Sequence, residues 1–132
     1  MPKELTKVQN PRILYLAGLF DGLGTIKIQT PKKGIRPCLY AWITSPHFKL
    51  MEVLQYYGAH ISPRPDGKYR ARWKENSAYK MLQAIKPHLS LKKDMADVGI
   101  EFFANKEKDQ TGESDVVYIL RLKLMKTTNE EE

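Results

Sequence analysis

The spacing of hydrophobic residues along this chain changes between the period of a helix and the period of a strand. Asn10-Pro11 is a favourable helix start, and apolar residues then follow at helical spacing until glycines at 22 and 24 end the segment. Side chains alternate from Thr25 to Gln29, with two isoleucines on one face and polar residues on the other, which is typical of a half-buried strand. The same reasoning predicts a strand over about 36–44, strands over 60–64 and 68–74, and helices that open near residues 46, 76 and 90.

This order predicts one α+β domain with a four-stranded antiparallel sheet that helices cover on one face. A length of 132 residues suits a single domain spanning 1–132, with its core over about 10–105. Residues 106–132 are expected to form a polar linker, a C-terminal helix and an acidic tail. The segment 116–125 fits both helical spacing and strand alternation, and we predict a helix there.

Composition narrows the class of protein. Apolar residues make up 42% and charged residues 28% of the chain, which is typical of a folded rather than a disordered protein. The single cysteine, Cys38, excludes an internal disulfide and a Cys-rich zinc site, and it suits a reducing, intracellular compartment such as the cytoplasm, nucleoid or an organelle. The longest apolar run, 13–20, is too short for a membrane span. The three histidines have no metal-ligand spacing, so no metal site is predicted from the residues alone.

The positive charge is a local feature. The whole chain carries a net charge of +7, whereas residues 24–74 contain ten basic and two acidic residues, a net charge of +8. The rest of the chain therefore sums to −1. Because the excess coincides with the predicted strands, it indicates a polyanionic partner for the sheet.

The segment 68–74 is the most informative strand. Lys68, Arg70, Arg72 and Lys74 alternate with uncharged residues, so all four cations lie on one face of the strand. Like charges in such a row repel each other. Charge can protect an edge strand from aggregation, but four cations without an acidic neighbour exceed that need. The pattern therefore favours contact with nucleic acid.

A sheet that carries Arg, Lys, Gln and Thr can enter a major groove, where Arg reads guanine and Gln reads adenine, while lysines in the turns hold phosphates. Tyr40 and Trp42 fall on the same side of their strand as Arg36, and two interpretations are open for them: core residues, or aromatic side chains on the DNA-binding face. The predicted DNA contacts are Lys27, Gln29, Lys32, Lys33, Arg36, Tyr40, Trp42, Arg64, Lys68, Arg70, Arg72 and Lys74.

Residues Leu16–Gly24 read Leu-Ala-Gly-Leu-Phe-Asp-Gly-Leu-Gly. This segment resembles the signature of the LAGLIDADG homing endonucleases, which are often intron-encoded, and most letters of the signature stand here in place. The resemblance implies an αββαββα saddle with a four-stranded antiparallel sheet. Because one motif is present, it also implies a homodimer that reads a palindromic or near-palindromic duplex site. Gly18, Asp21 and Gly22 are then the expected dimer interface, although Gly22 is equally well explained as the helix end.

The eighth letter of the motif departs from the family. The resemblance implies an acidic residue there that binds a catalytic Mg²⁺, and this chain has Leu23, which offers no oxygen ligand. We therefore expect that Mg²⁺ is not bound at this position. Asp21 is a weak catalytic candidate whose ordinary role would be hydrogen bonding at the helix end. Lys92 aligns with the family's basic catalytic residue, and it fits a phosphate contact and a solvated first helical turn equally well.

These observations predict a sequence-specific, homodimeric double-stranded DNA-binding protein in which Leu23 has abolished or impaired cleavage. Two alternatives stay open. The first is an active, metal-dependent DNA endonuclease with an unusual metal arrangement that uses Asp21, a backbone carbonyl such as that of Leu23, and Lys92. The second is an RNA-binding protein similar to an intron maturase.

Overall fold

In a computed structural model, which describes residues 11–108 and 112–131, the elements follow the predicted order. Helix α1 leads into a first pair of strands, α2 leads into a second pair, and three α-helices and a 3₁₀ turn follow. The elements are α1 Pro11–Leu23, β1 Gly24–Gln29, β2 Cys38–Ser45, α2 Phe48–Tyr56, β3 His60–Pro63, β4 Tyr69–Lys74, α3 Asn76–Ile85, a 3₁₀ turn Lys86–His88, α4 Lys93–Lys108 and α5 Asp115–Glu131. The predicted αββαββα arrangement is thereby confirmed, and 116–125 lie in a helix.

The four strands form one antiparallel sheet in the order β1-β2-β4-β3. The register places Ala41 between Ile26 of β1 and Trp73 of β4, so these three side chains share the inner face. The described helices bury their apolar residues against this face. Their buried residues include Phe20 of α1, Met51 of α2, Leu82 of α3 and Phe102 of α4.

The C-terminal helix belongs to the same core. Leu122 of α5 is buried among these residues, and Ile119 packs against them. Helix α5 lies against α4 and β1, so it stands beside the edge strand of the sheet. No helix in the described ranges combines the length and the apolar character that crossing a bilayer requires.

The junction between α1 and β1 has no intervening loop. Leu23 ends the helix and Gly24 begins the strand. A Cβ atom at Gly24 would lie 2.5 Å from the ring of Phe20, so only glycine fits where the strand starts under this ring. The helix is thereby held against the sheet, and the last turn of the motif sits at the start of the edge strand.

Candidate nucleic-acid interface

The outer face of the sheet, on which none of the helices in 11–108 and 112–131 buries its core residues, carries predicted cations. Thr25, Lys27 and Gln29 of β1 project from this face, because Ile26 and Ile28 between them are buried in the core. On β4 the buried residues are Ala71 and Trp73, so Arg70, Arg72 and Lys74 project outwards. We call this surface, together with Tyr40 and Trp42 of β2, the outer face.

The register decides between the two interpretations of the aromatic residues on β2. Tyr40 is opposite Lys27 on one side and Lys74 on the other, and Trp42 is opposite Thr25 and Arg72. Both rings therefore lie on the outer face. Tyr40 is nevertheless only 3% exposed, because cationic side chains of the neighbouring strand cover it.

Cations and rings are stacked in a regular way. The Arg70 guanidinium carbon lies 4.2 Å from the centre of the Trp42 ring, and that of Arg72 lies 5.3 Å from the centre of the Tyr40 ring. Each arginine thus covers the aromatic side chain diagonal to it on the adjacent strand, a contact that holds the guanidinium plane in place. Lys74 Nζ is 5.9 Å from the Tyr40 ring.

The outer face is electrostatically unbalanced. Burial, followed by the charges of Arg64 and Arg72, lowers the pKa of the Arg70 guanidinium below its usual value, and Asp66 opposes this only in part. Among the described residues, the buried Nε atom of Arg70 also lacks a hydrogen-bond partner. The surface is therefore strongly positive and has a donor that the protein leaves unsatisfied.

Further predicted contacts lie in the two hairpin turns. Lys32 and Lys33 are exposed in the connection between β1 and β2. Arg64 and Lys68 flank the turn between β3 and β4, where the Lys68 carbonyl accepts from the Arg64 amide at 2.8 Å. The Asp66 carboxylate accepts from the Lys68 amide at 3.1 Å and from Arg64 Nε at 3.4 Å.

Arg36 lies away from these residues. Its guanidinium donates two hydrogen bonds to Asp115, at 2.9 and 3.1 Å, at the start of α5. Close by, Lys106 pairs with Glu75 at 2.7 Å and donates to the Pro37 carbonyl at 2.8 Å. These bonds attach the connection before β2 to the C-terminal helices, so Arg36 serves this attachment and we leave it out of the proposed DNA contacts.

At the end of α1 the side chain of Asp21 is fully engaged within the protein. Its carboxylate accepts hydrogen bonds from the amides of Ser90, Leu91 and Lys92, at 3.1, 2.8 and 2.9 Å. Lys92 Nζ in turn donates to the Asp21 carbonyl at 2.8 Å. Asp21 therefore caps the segment that opens α4. A hydrogen-bonding role for Asp21 at a helix end agrees with the expectation from the sequence, whereas its partner, the segment 90–92, was not predicted.

The residues at this end of α1 do not fit a divalent cation. Leu23 is 50% exposed and has no oxygen in its side chain, while both carboxylate oxygens of Asp21 accept amide hydrogens. Mg²⁺ prefers several oxygen ligands at short range. Across the described segments, no three side chains of His, Cys, Asp or Glu come together as a metal-binding group.

The motif glycines line an open strip of α1. Gly18 and Gly22 are exposed, and a Cβ atom at either position would meet no other atom within 4 Å. Packing within the chain therefore does not require glycine at these two positions. Leu14 and Tyr15 on the same side of the helix are also exposed, at 44% and 51%.

Comparison with known proteins gives structural matches. No family model and no curated protein matches the sequence. The homing endonuclease I-CvuI, crystallised in complex with its target in the presence of Ca, shares 19% identity with a TM-score of 0.75, covering 87% of this chain and 82% of that chain. Another I-CvuI structure is a complex with a DNA target in the presence of Mg, in which the DNA is not cleaved.

Two further structures extend this comparison. The archaeal intron-encoded homing endonuclease I-Vdi141I, complexed with DNA, has a TM-score of 0.73 at 12% identity, over 89% of this chain and 85% of that chain. The LAGLIDADG meganuclease I-AabMI, bound to uncleaved DNA, has a TM-score of 0.57 at 18% identity, over 80% of this chain but 42% of that chain. At these identities the likeness establishes the fold, and it confirms the predicted resemblance.

Proposed function

We propose that this chain, which has the fold of the LAGLIDADG homing endonucleases, is a sequence-specific double-stranded DNA-binding protein that works as a homodimer and has lost or impaired cleavage. The observation that carries the proposal is the outer face: a sheet surface on which no described helix packs. Its cations project from β1 and β4, and the residues that define it include no acidic side chain. Duplex DNA offers the matching polyanion, and its major groove admits a two-stranded ribbon of this kind.

The outer face divides into residues suited to bases and residues suited to phosphates. Arg70 and Arg72 stand at the middle of the sheet with their guanidinium planes held over rings, and arginine is the side chain that most often reads guanine. Gln29 of β1 is exposed and suits adenine. The hairpin cations Lys32, Lys33, Arg64 and Lys68 suit phosphates, which set the register of the protein on the duplex.

Arg70 is the residue that gains most from an acceptor. An unpaired buried donor costs about 1–3 kcal/mol, and the Nε atom of Arg70 is such a donor. Rotation of the guanidinium from Trp42 towards a base edge would satisfy that atom and relieve the repulsion from Arg64 and Arg72. We therefore assign Arg70 the largest single contribution to binding.

The open strip of α1 supports a dimer. Gly18 and Gly22 leave the helix without side chains on an exposed side, which allows the backbone of a second copy to approach closely. Leu14 and Tyr15 add apolar surface beside them. The match to 42% of the meganuclease I-AabMI, against 82–85% of I-CvuI and I-Vdi141I, is consistent with a chain that supplies one half of a two-part assembly.

The end of α1 supports loss of cleavage. Leu23 replaces the acid that the resemblance implies, and the amides of 90–92 occupy the only nearby carboxylate of the motif, that of Asp21. The alternative of an active enzyme that binds its metal through Asp21 would require these three hydrogen bonds to break. We therefore rank it second.

The test begins with selection of duplexes from a random library by the purified protein. We expect a near-palindromic site, bound by two chains in sedimentation analysis. Its affinity should fall with salt at a log–log slope of about −0.9 for each phosphate neutralised. The selected duplex should stay intact in Mg²⁺.

Three results would contradict parts of this proposal. Cleavage in Mg²⁺ that stops on chelation would establish an active enzyme. Equal affinity for all duplexes would exclude sequence specificity. Preference for structured intron RNA over the selected duplex would favour the maturase-like alternative, because the deep, narrow major groove of A-form RNA does not admit a sheet.

A further inference from the structure

A cleft separates the edge strand from the C-terminal helix. It lies between β1 on one side and helices α4 and α5 on the other, and its volume is about 520 Å³. Binding sites for small molecules have volumes of about 300–1,000 Å³. The cleft follows all six residues of β1, a length of about 17 Å at the rise of an extended strand. It is therefore large enough for an elongated small molecule.

The walls of the cleft are mostly apolar. Ile26 and Ile28 form part of the β1 side, and Met95 of α4 with Ile119 and Leu122 of α5 form the opposite side. These residues belong to the hydrophobic core or pack against it. An apolar molecule in the cleft would thus extend the core, which favours binding through burial of apolar surface.

One end of the cleft carries the Lys92 ammonium group, to which no carboxylate of the described residues forms a salt bridge. Lys92 Nζ donates one hydrogen bond, to the neutral carbonyl of Asp21, and an ammonium has three donors. The Asp21 carboxylate accepts instead from the amides of 90–92. Burial lowers the pKa of Lys92 below its usual value, and the Asp21 charge opposes this only in part.

The other charges on the cleft have the same sign. Lys27 of β1 and Lys123 of α5 also line it, and the described residues that form its wall include no acidic side chain. An apolar cleft with cations at its rim is complementary to a molecule that has an apolar body and one anionic group. A neutral apolar molecule would offer no charged partner to the Lys92 ammonium.

We propose that this cleft binds a small amphipathic anion, with its apolar chain or rings along β1 and its carboxylate or sulfonate on Lys92. The occupant is a small molecule, and the site differs from the outer face because helices α4 and α5 form one of its walls, although the two share residues of β1 such as Lys27. The proposal does not depend on DNA binding.

The test uses two probes of this chemistry on the full chain. The fluorescence of anilinonaphthalene sulfonate should rise on addition of protein and saturate at one molecule per chain. Decanoate should displace it competitively, and decanol, which has the same chain without the charge, should require about tenfold higher concentration. Equal displacement by decanoate and decanol would overturn the role of Lys92.

Matched variants locate the site. Ile119→Trp should fill the cleft and abolish probe binding. Lys92→Met should weaken decanoate binding by about tenfold. Lys93→Met, which changes the exposed neighbouring lysine, should not weaken it. Leu124→Ser removes an apolar residue that is 69% exposed on α5, outside the cleft, and should leave binding unchanged. If Ile119→Trp fails to fold by circular dichroism, Met95→Trp replaces it. Retained binding in a folded cleft-filling variant, or lost binding in Leu124→Ser, would overturn the proposal.

Discussion

The outer face of the sheet and the end of the motif helix lie a few residues apart in the chain, and they are constructed in opposite ways. The outer face places several cations on two strands, β1 and β4, and leaves their charge unbalanced, so that Arg70 retains an unsatisfied donor. At the end of α1 the polar groups are satisfied internally, since Asp21 and Lys92 bond to backbone atoms of each other's segments. The first region is suited to an external partner, and the second is suited to holding the fold together.

This difference teaches how each function can be lost. Binding to a polyanion is spread over many side chains, so one substitution removes only part of the affinity. A metal site requires a small set of oxygen ligands in one place, and replacement of one acid by leucine removes it. A chain of this fold can therefore retain DNA binding while its chemistry disappears through a single position.

The largest expected effect comes from placing an acidic residue at position 23. Leu23 is half-exposed at the end of α1, so an aspartate there should be tolerated by the fold. We predict that Leu23→Asp raises Mg²⁺-dependent nicking of the selected duplex at least about a hundredfold over the unchanged protein, because a bound metal ion contributes several kcal/mol to stabilising charge. Gel analysis of supercoiled plasmid carrying the site measures this.

Leu23→Asn is the matched control for this variant, because it has the same shape and lacks the negative charge. It should leave the plasmid intact. Absence of both nicking and Mg²⁺ binding in Leu23→Asp, with DNA binding preserved, would show that an acid at position 23 is not sufficient for a metal site, and it would contradict the role that we assign to Leu23 in the proposed loss of cleavage.

The second-largest expected effect is a loss of DNA affinity when an arginine of the outer face is removed. Arg70→Ala and Arg72→Ala should each weaken binding to the selected duplex by about 1–3 kcal/mol if the guanidinium groups read bases, with Arg70→Ala the larger. Loss of affinity for a random duplex should be smaller. Fluorescence anisotropy titrations on both duplexes measure the two affinities.

Lys49→Ala is the control for the arginine variants, since Lys49 is an exposed cation on α2, which packs on the inner side of the sheet. It should change neither affinity appreciably. If Arg70→Ala and Arg72→Ala weaken both duplexes equally, the two arginines contact phosphates, and sequence specificity must come from other residues.

The sequence predicts the outer face well because a strand has a period of two. Alternation alone placed the four cations of 68–74 on one side, and the observed burial of Ala71 and Trp73 agrees. It left Tyr40 and Trp42 undecided because β2 is buried along most of its length. Only the pairing with β1 and β4 assigns their side, and pairing between strands is not encoded in the local pattern.

Sequence patterns did not predict contacts between segments that are distant in the chain. Arg36 looked like one more cation of the basic region, but its partner Asp115 is 79 residues away. Asp21 is similarly separated from the amides of 90–92 by about 70 residues. Charge and spacing identify such residues as polar and near an element's end, whereas the tertiary fold decides what they contact.

The ambiguity of 116–125 has a physical origin as well. Helix α5 is apolar on two sides: Leu122 is buried in the core, while Val116, Leu120 and Leu124 are exposed. A helix with apolar residues all round has no clear amphipathic period, so the pattern fits strand alternation equally well. The position of the helix beside β1 then creates the cleft, which no local feature of the sequence predicts.

The smallest expected effect tests whether Asp21 is structural. Asp21→Asn keeps the size of the side chain but loses the charge and one of its two acceptor oxygens, which together accept from three amides. We predict a loss of about 0.5–2 kcal/mol in the free energy of unfolding, as for other helix caps, measured by urea denaturation.

Asp94→Asn is the matched control, because Asp94 carries the same charge in the first turn of α4 but the three amides bond to Asp21. Removal of the Asp94 charge should therefore cost less, about 0.3–1 kcal/mol. Affinity for the selected duplex should be unchanged in both variants once the protein is folded, because neither residue lies on the outer face. Unaltered stability of Asp21→Asn, combined with reduced DNA or metal binding, would place Asp21 in a functional site instead. The contrast between an externally directed sheet face and an internally satisfied helix end would then no longer hold.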